Sequence, residues 1–374
     1  MMRSRAIGTL VAALSTAAVL SGGMPAMASA APAPQTTQDV VMQAKEDAAK
    51  RLATAFSGGL ATETRAALDA GDSIALSDVA SPSLRSYAAA VAADNAAILQ
   101  AKGLPDIGNI MEVRLANPET RSALAAGTTP LIAAEPGDDA TSLTAIRPDG
   151  TTQIIDGAKA PSTPVLIVGY NGDKAMTAGM RVLNDGFKRA WPDAAADRDT
   201  SSETLTGGKT VTQIKNIRLE HDEEPWFKGG AEIFFLTAGD GKNGKPFVSS
   251  ATKMPFLDWE QTDYKNVNIT AVDWSQFGWD NANITLHEED DGTDYKVLTQ
   301  AVITAVGSLA NWSEGAVVVN TLLGAIPGDW WKDGTDDVDQ YYSLAQKDGT
   351  SKVSRMGAGG NAKILFANKF ISQI

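Results

Sequence analysis

Apolar side chains recur at helical spacing in the N-terminal third of the chain, and turn residues separate the stretches that carry them. The first stretch places apolar residues mostly three or four positions apart, at Val40, Val41, Ala44, Ala48, Leu52 and Phe56. Gly58-Gly59 ends this pattern, and Ser81-Pro82 is typical of a new helix that ends at Gly103. The pattern predicts a helical N-terminal region over residues 31–125.

Short apolar runs bounded by turn residues replace the helical pattern from about residue 126. Residues 131–134 and 164–169 are continuous apolar runs, and residues 143–155 form a hairpin pattern about Pro148-Asp149-Gly150. The sequence predicts a small β unit over residues 126–209. Its polar end, residues 172–209, is predicted to be a linker with one short helix.

The C-terminal part, residues 210–374, alternates predicted strands with turn-rich acidic segments. Strands are predicted at residues 211–219, 231–237, 247–253, 266–272, 283–286, 341–346 and 362–368. An apolar stretch at residues 297–326 is interrupted by polar residues and predicts a helical hairpin. The predicted fold class is therefore α+β, with a helical N-terminal region, a small middle β unit and a C-terminal antiparallel β-sandwich that carries a helical-hairpin insertion.

The first 30 residues have the pattern of a secretory signal peptide. Arg3 and Arg5 precede an apolar run at residues 6–20, and Ala28-Ser29-Ala30 is a small-residue cleavage site. The apolar run is shorter than the ~20 residues that a membrane-spanning helix needs. The sequence predicts a secreted, extracellular protein of a bacterium, with no transmembrane segment after cleavage.

The net charge limits which molecules this protein is expected to bind, and the cysteine content limits how it can be stabilised. The formal net charge is -13, and the chain contains no cysteine. A strongly acidic surface repels nucleic acid, so we expect no nucleic-acid partner. Without disulfides, a secreted chain must be stabilised by its core or by a metal ion.

Carboxylates concentrate in three segments, residues 220–224, 287–294 and 329–339. Two of these segments follow predicted strands, and calcium takes six to eight oxygen ligands from such loops. If the strand ends meet at one pole of the sandwich, the segments share one or two calcium ions. The alternative is a solvated acidic rim, which is what a run of charges usually forms. The predicted calcium ligands are Asp222, Glu224, Glu289, Asp290, Asp291, Asp294, Asp336, Asp337 and Asp339.

Complete catalytic motifs are absent from the sequence. There is no EF-hand pattern and no Gly-x-Ser-x-Gly elbow, and the glycines near residue 239 lack the Ser or Thr of a phosphate loop. The two histidines, His221 and His287, are too few for a three-histidine zinc site. A mixed zinc site with carboxylates, or catalysis by two carboxylates in a cleft, stays open.

Several segments carry a resemblance to a known family. They are residues 224–233 (EPWFKGGAEI), 254–258 (MPFLD), 282–296 and the Asp336-Asp337-Val338-Asp339 sequence. Over about residues 210–374 the chain resembles the secreted bacterial proteins of domain of unknown function 3103, a family that implies no activity and no catalytic residues. The acidic segment at residues 289–294 also resembles the calcium loops of C2-type sandwiches, which would make Asp222, Asp290, Asp291 and Asp294 ligands.

Two functions follow as hypotheses. The first is a secreted calcium-binding β-sandwich that acts as a binding or structural module for an unidentified extracellular ligand. The alternative is a secreted metal- or carboxylate-dependent hydrolase whose residues 31–125 form a removable pro-segment. The sequence favours the non-enzymatic hypothesis because it offers many acids and no way to select a catalytic pair.

Overall fold

The computed structural model describes residues 35–71, 73–79, 81–137, 140–193, 208–221, 226–309, 320–321, 323–324 and 337–372. Residues Gln35–Ile374 form one compact unit. The predicted signal peptide, residues 1–30, lies outside the described residues. None of the helices in the described part combines the length and the apolar character that a bilayer span requires.

The α-helices of the described part are α1 (Thr37–Ala55), α2 (Gly58–Ala70), α3 (Pro82–Ala90), α4 (Ala92–Ala101), α5 (Arg121–Ala125), α6 (Gly172–Ala190) and α7 (Tyr295–Gly307). Four of these seven, α1, α3, α6 and α7, begin at a side chain that caps the first turn. Thr36 and Asp39 form a reciprocal capping box before α1. Ser81 accepts a hydrogen bond from the backbone N–H of Leu84 at the start of α3, and Pro82 lies in its first turn, as predicted.

The strands build three sheets. They are β1 (Ser73–Ala75), β2 (Met111–Leu115), β3 (Leu131–Ala134), β4 (Ser142–Ile146), β5 (Thr152–Asp156), β6 (Val165–Tyr170), β7 (Gly208–Leu219), β8 (Ile233–Gly241), β9 (Pro246–Lys253), β10 (Tyr264–Asp273), β11 (Phe277–Glu288), β12 (Asp337–Leu344), β13 (Ser354–Met356) and β14 (Ala362–Ser372). One sheet has six strands and the other two have four strands each.

The six-stranded sheet has the order β1-β2-β6-β3-β4-β5. Strands β3 and β6 are parallel, and the other neighbours are antiparallel. Both faces of β6 are buried, because Leu166 and Val168 enter one hydrophobic cluster while Val165 and Ile167 enter another. A strand buried on both faces reads as a continuous apolar run, which is why the sequence reveals β6.

The two four-stranded sheets, β10-β7-β14-β13 and β12-β11-β8-β9, enclose a common core between them. Ile214 and Ile364 face this core from the first sheet, and Phe235 and Ile284 face it from the second. Inward-facing residues from two antiparallel sheets form the core of a sandwich. The antiparallel C-terminal sandwich is therefore present in the fold.

Strand β8 joins the sandwich to the rest of the protein. Its residues alternate between two cores: Phe235 faces the sandwich interior, whereas Phe234 and Leu236 face a second core. That second core also contains side chains of α1, β2, β6, α6 and α7. The N-terminal helices, the six-stranded sheet and the outer face of sandwich strands β8 and β9 thus share one core, beside the separate core inside the sandwich.

Three local expectations differ from the structure. Residues 172–190 form the full helix α6, whose Met176, Leu183 and Phe187 are buried, so this half of the expected linker is a core element. The N-terminal region contributes β1 and β2 as well as helices. The helix expected over residues 82–102 breaks at Val91 into α3 and α4.

The remaining boundaries stay predictions. Helix α7 supplies the first half of the expected hairpin at 297–326, and most of its second half lies outside the described residues. The divisions at residues 31–125, 126–209 and 210–374 also stay predictions, although one interior crosses both of them.

The contact between α6 and α7 depends on glycine, and it generates a first prediction. A Cβ at Gly179 would overlap the ring of Tyr295. Although alanine favours helix by about 1 kcal/mol, we expect Gly179→Ala to lower the free energy of unfolding by about 1–3 kcal/mol through overpacking. Gly307→Ala, where a Cβ meets no described atom within 4 Å, is the control. Urea unfolding measures both, and equal stability of the two variants would contradict the close packing.

Candidate functional site

A polar cavity of about 210 Å³ lies at the carboxyl ends of the parallel strands β3 and β6. Open sheets commonly bind ligands at this edge. Residues 228–232, which precede β8, and residues 289–291, which follow β11, complete its wall. The titratable side chains that line the cavity are Lys45, Glu112, Arg114, Glu135, Tyr170, Asp173, Lys228, Glu232, Glu289, Asp290 and Asp291.

Arg114 on β2 and Glu135 after β3 form one ion pair of the cavity wall. The Arg114 Nη2 lies 2.5 Å from Glu135 Oε1 and 2.6 Å from the carbonyl oxygen of Phe227. Lys45 Nζ lies 4.0 Å from the other oxygen of Glu135. Burial by itself would raise the pKa of Glu135, but Arg114 and Lys45 more than offset it and hold this pKa below its ordinary value. Glu135 is therefore ionised at neutral pH.

Two buried lysines form ion pairs with two carboxylates of the acidic segment after β11. Lys45 Nζ lies 2.5 Å from Asp291 Oδ2, and Lys102 Nζ lies 2.8 Å from Glu289 Oε1. Lys102 also donates to the carbonyl oxygen of Asp290 at 2.5 Å, and both lysines are at most 1 % exposed. Buried charges persist in proteins only when they are paired. Helices α1 and α4 thus supply the counter-ions of a segment about 190 or more residues away in sequence.

The Tyr170 ring lines the cavity beside both lysines. Lys102 Nζ is 5.0 Å and Lys45 Nζ is 5.7 Å from the ring centroid. The Tyr170 hydroxyl lies 3.5 Å from Glu289 Oε2. Burial and the surrounding carboxylates raise the pKa of Tyr170 well above its ordinary value, so its hydroxyl stays protonated.

Glu232 and Glu112, like the side chain of Asp290, form no ion pair with a lysine or arginine of the described residues, whereas Glu135, Asp173, Glu289 and Asp291 each do. Burial, followed by the charges of Glu289 and Glu135, raises the pKa of Glu232 well above its ordinary value. Burial also raises the pKa of Glu112, which accepts a hydrogen bond from Asn171 Nδ2 at 3.0 Å. Both groups are half-buried and line the cavity.

The predicted calcium ligands do not converge within the described residues. Glu289, Asp290 and Asp291 line the cavity, but two ammonium groups already lie against this segment. Asp294 caps α7 and accepts hydrogen bonds from the backbone N–H groups of residues 296 and 297. In the described ranges, no group of three or more His, Asp or Glu side chains is arranged to hold a metal ion.

The side chain of Asp339 is hydrogen-bonded to backbone N–H groups of a turn. It is fully buried, and its two oxygens accept hydrogen bonds from the backbone N–H groups of Gly359, Asn361 and Ala362 at 2.6–2.9 Å. This carboxylate holds the glycine-rich turn before β14. Asp222, Glu224, Asp336 and the side chain of Asp337 lie outside the described residues. Calcium binding therefore stays a prediction.

Neither histidine lines the cavity. His287 is buried, with a ring nitrogen 2.7 Å from Thr285 Oγ1 and its ring 5.4 Å from that of Phe234. Burial lowers its pKa to about 3, so this histidine is neutral. His221 is exposed and lies 3.8 Å from Glu260. A hydrolase built on this cavity would depend on carboxylates rather than on histidine.

Sequence reasoning missed the residues that define the cavity: Lys45, Lys102, Arg114, Glu135, Tyr170 and Glu232. One signal was present for Lys45, which lies on the apolar stripe of α1 between Val41 and Leu52. A lysine on a buried helix face needs a buried partner. No sequence signal pairs it with Asp291, because that contact spans 246 positions.

Residues 46–374 match the model of a family described as "Protein of unknown function (DUF3103)". The chain belongs to this family. The matched range includes every residue that lines the cavity except Lys45. No curated protein and no solved structure matched the chain. The family description carries no activity, so function must be argued from the cavity of this DUF3103 protein.

The Lys45–Asp291 pair generates a second prediction. Lys45→Met leaves a buried carboxylate without its partner, which costs about 3–5 kcal/mol of unfolding free energy. The double variant Lys45→Met, Asp291→Leu removes both charges and should recover most of this loss. Lys50→Met is the control, because Lys50 pairs with Glu46 on the exposed face of the same helix and exposed pairs contribute at most about 1 kcal/mol. Equal stability of the two single variants in urea would contradict the buried pair.

Proposed function

We propose that this DUF3103 protein is an exported binding module whose cavity takes a small ligand that carries a positive charge. The observation that carries the proposal is Glu232, a half-buried carboxyl that lines the cavity without a cationic partner among the described residues. Export is proposed from the signal pattern of residues 1–30.

The charge balance of the cavity supports a cationic ligand. Lys45, Lys102 and Arg114 each form an ion pair with a carboxylate. Lys228 also lines the cavity, but its charge only partly opposes the rise in the pKa of Glu232. Glu112 and Glu232 remain beyond these pairs, and their raised pKa values reflect carboxyl groups crowded into a partly desolvated space. A ligand cation supplies the missing opposite charge, and unpaired buried charge is otherwise costly.

Calcium is one possible cation, as the acidic clusters predict. The fit is poor at residues 289–291, since the ammonium groups of Lys45 and Lys102 would lie beside the ion and repel it. An organic cation needs only one or two carboxylates, whereas calcium needs six to eight oxygens. The cavity therefore supports an ammonium or guanidinium group better than a calcium ion.

A carboxylate-dependent hydrolase is a second candidate, and one observation favours it. Glu135 and Glu232 line the same cavity, and their surroundings shift their pKa values in opposite directions. Such a pair is typical of a general base and a general acid. If this hydrolase exists, residues 31–125 do not act as a removable pro-segment, because Lys45, Lys102 and Arg114 belong to the cavity and its supporting ion pairs.

The raised pKa of Glu232 generates a third prediction. The folded protein keeps the Glu232 proton to higher pH than the unfolded chain, so this group destabilises the fold progressively as pH rises above about 4.5. Glu232→Gln removes that penalty. We expect the variant to be more stable than the natural protein at pH 7 and equally stable below about pH 4, in thermal melts across pH. Glu119→Gln, at an exposed position, is the control. A lower melting temperature for Glu232→Gln than for the natural protein at pH 7 would contradict the crowding of buried carboxyl groups around Glu232.

Ligand binding generates a fourth prediction, with ethanolamine, putrescine, agmatine and calcium chloride as the probes. An amine that binds the folded state raises its melting temperature by mass action. We expect at least one amine to do so, with a smaller effect in Glu232→Gln. Because the pKa of Glu232 is raised and binding releases its proton, binding should tighten as the pH rises above about 4.5. If calcium alone raises the melting temperature and a chelator reverses it, the acidic clusters hold calcium instead. If no cation changes the melting temperature, the proposed function is wrong.

A further inference from the structure

We infer that the cavity recognises a small zwitterion of amino-acid type, with Glu112 and Glu232 at its ammonium group and Arg114 at its carboxylate. This inference rests on the proposed function and adds the second, anionic half of the ligand. It follows from the arrangement of charges on strand β2, from the unused donors of Arg114 and from the size of the cavity.

Strand β2 presents an acid and a base side by side. Glu112 and Arg114 are two positions apart and half-buried, whereas Met111, Val113 and Leu115 between and beside them are buried. Residues two apart on a strand share a face at a spacing of about 7 Å. Both side chains line the cavity. The two charges of a small zwitterion can therefore meet opposite charges on the same wall.

The guanidinium of Arg114 keeps donors for a ligand. It carries five N–H groups in a planar fork, and its hydrogen bonds to Glu135 and to the Phe227 carbonyl both use Nη2. In the described ranges, no acceptor engages Nη1 or Nε. Arg114 is partly exposed, with 18 % of its side-chain surface accessible. A carboxylate is the group that such a fork binds best.

The rest of the wall fits a compact polar ligand. Lys228 also lines the cavity, where burial lowers its pKa while Glu135 and Asp291 oppose that shift. The volume of about 210 Å³ exceeds the ~150 Å³ that accommodates a benzene molecule. An amino acid has a matching size. A carboxylate on the same ligand would accept from the donors of Arg114 that no described residue engages.

The test varies the ligand as well as the protein, so that it does not depend on a variant that fails to fold. The twenty common L-amino acids are screened individually by thermal shift, and each hit is measured by calorimetry beside its decarboxylated amine and its deaminated acid. We expect at least one amino acid to bind at least about tenfold more tightly than either analogue, since each analogue lacks one charge-assisted contact.

Two variants assign the halves of the site. Arg114→Lys keeps the positive charge beside Glu135 but loses the fork, so it should reduce affinity for the amino acid at least about tenfold more than it reduces affinity for the amine. Glu112→Gln should weaken both the amino acid and the amine. Lys50→Met, on the exposed face of α1, should change neither.

The outcomes separate this inference from the proposed function. If an amine binds as tightly as the amino acid and Arg114→Lys changes nothing, the zwitterion inference is wrong and the cation-binding function stands. If the deaminated acids bind and the amines do not, both are wrong. If no amino acid, amine or acid changes the melting temperature or gives heat of binding, both are also wrong.

Discussion

The buried ion pairs of Lys45 with Asp291 and Lys102 with Glu289 are the constraint on which the organisation of this protein depends. Each joins a lysine of an N-terminal helix, or of the residue just after one, to the acidic segment that follows β11. A charge removed from water needs a partner, and within the described residues neither side of these pairs has another ion-pair partner as close. The N-terminal helical region and the sandwich therefore each supply one partner of these ion pairs. The cavity lies where these charged side chains meet.

The cavity also contains carboxyl groups that these pairs do not neutralise. The ionised forms of Glu232 and Glu112 reduce the stability of the fold, because burial and neighbouring carboxylates disfavour them. Proteins retain such unfavourable groups at places where a ligand or a reaction uses them. The same wall carries Arg114 with unused donors, so the cavity presents charges of both signs to a ligand.

Much of the fold could be predicted from the sequence, where burial leaves a periodic signal. The stripe of α1, the Ser81-Pro82 cap and the continuous apolar runs of β6 and β8 all identify their elements. Helix α6 was underestimated because its buried face contains Gly179 and Gly186, residues that resemble a linker until Tyr295 and Thr299 of α7 pack against them. From the sequence alone, a glycine that permits close helix packing cannot be distinguished from a glycine that permits a turn.

The candidate site was much less accessible from the sequence. The density of carboxylates along the chain is the basis of the calcium prediction. In the structure, Asp339 accepts hydrogen bonds from backbone N–H groups, Asp294 caps a helix, and Asp291 has a lysine partner. The residues that form the cavity are single charged positions dispersed over five or more elements, and no spacing rule links them. The density of charged residues along the chain does not show which distant residues neutralise them in the folded protein.

The sequence by itself determined the α+β class, the positions of most strands, the family, and the acidic character of the chain, because each depends on local pattern or composition. Only the tertiary structure decided which acids are neutralised and which remain available. That decision depends on contacts such as Lys45 with Asp291, which are separated by 246 positions. The pKa of Glu232 likewise depends on burial and on charges brought near it by folding. Electrostatic free energy depends on the distance between charges in space and on their desolvation, and neither quantity can be obtained from the order of residues along the chain.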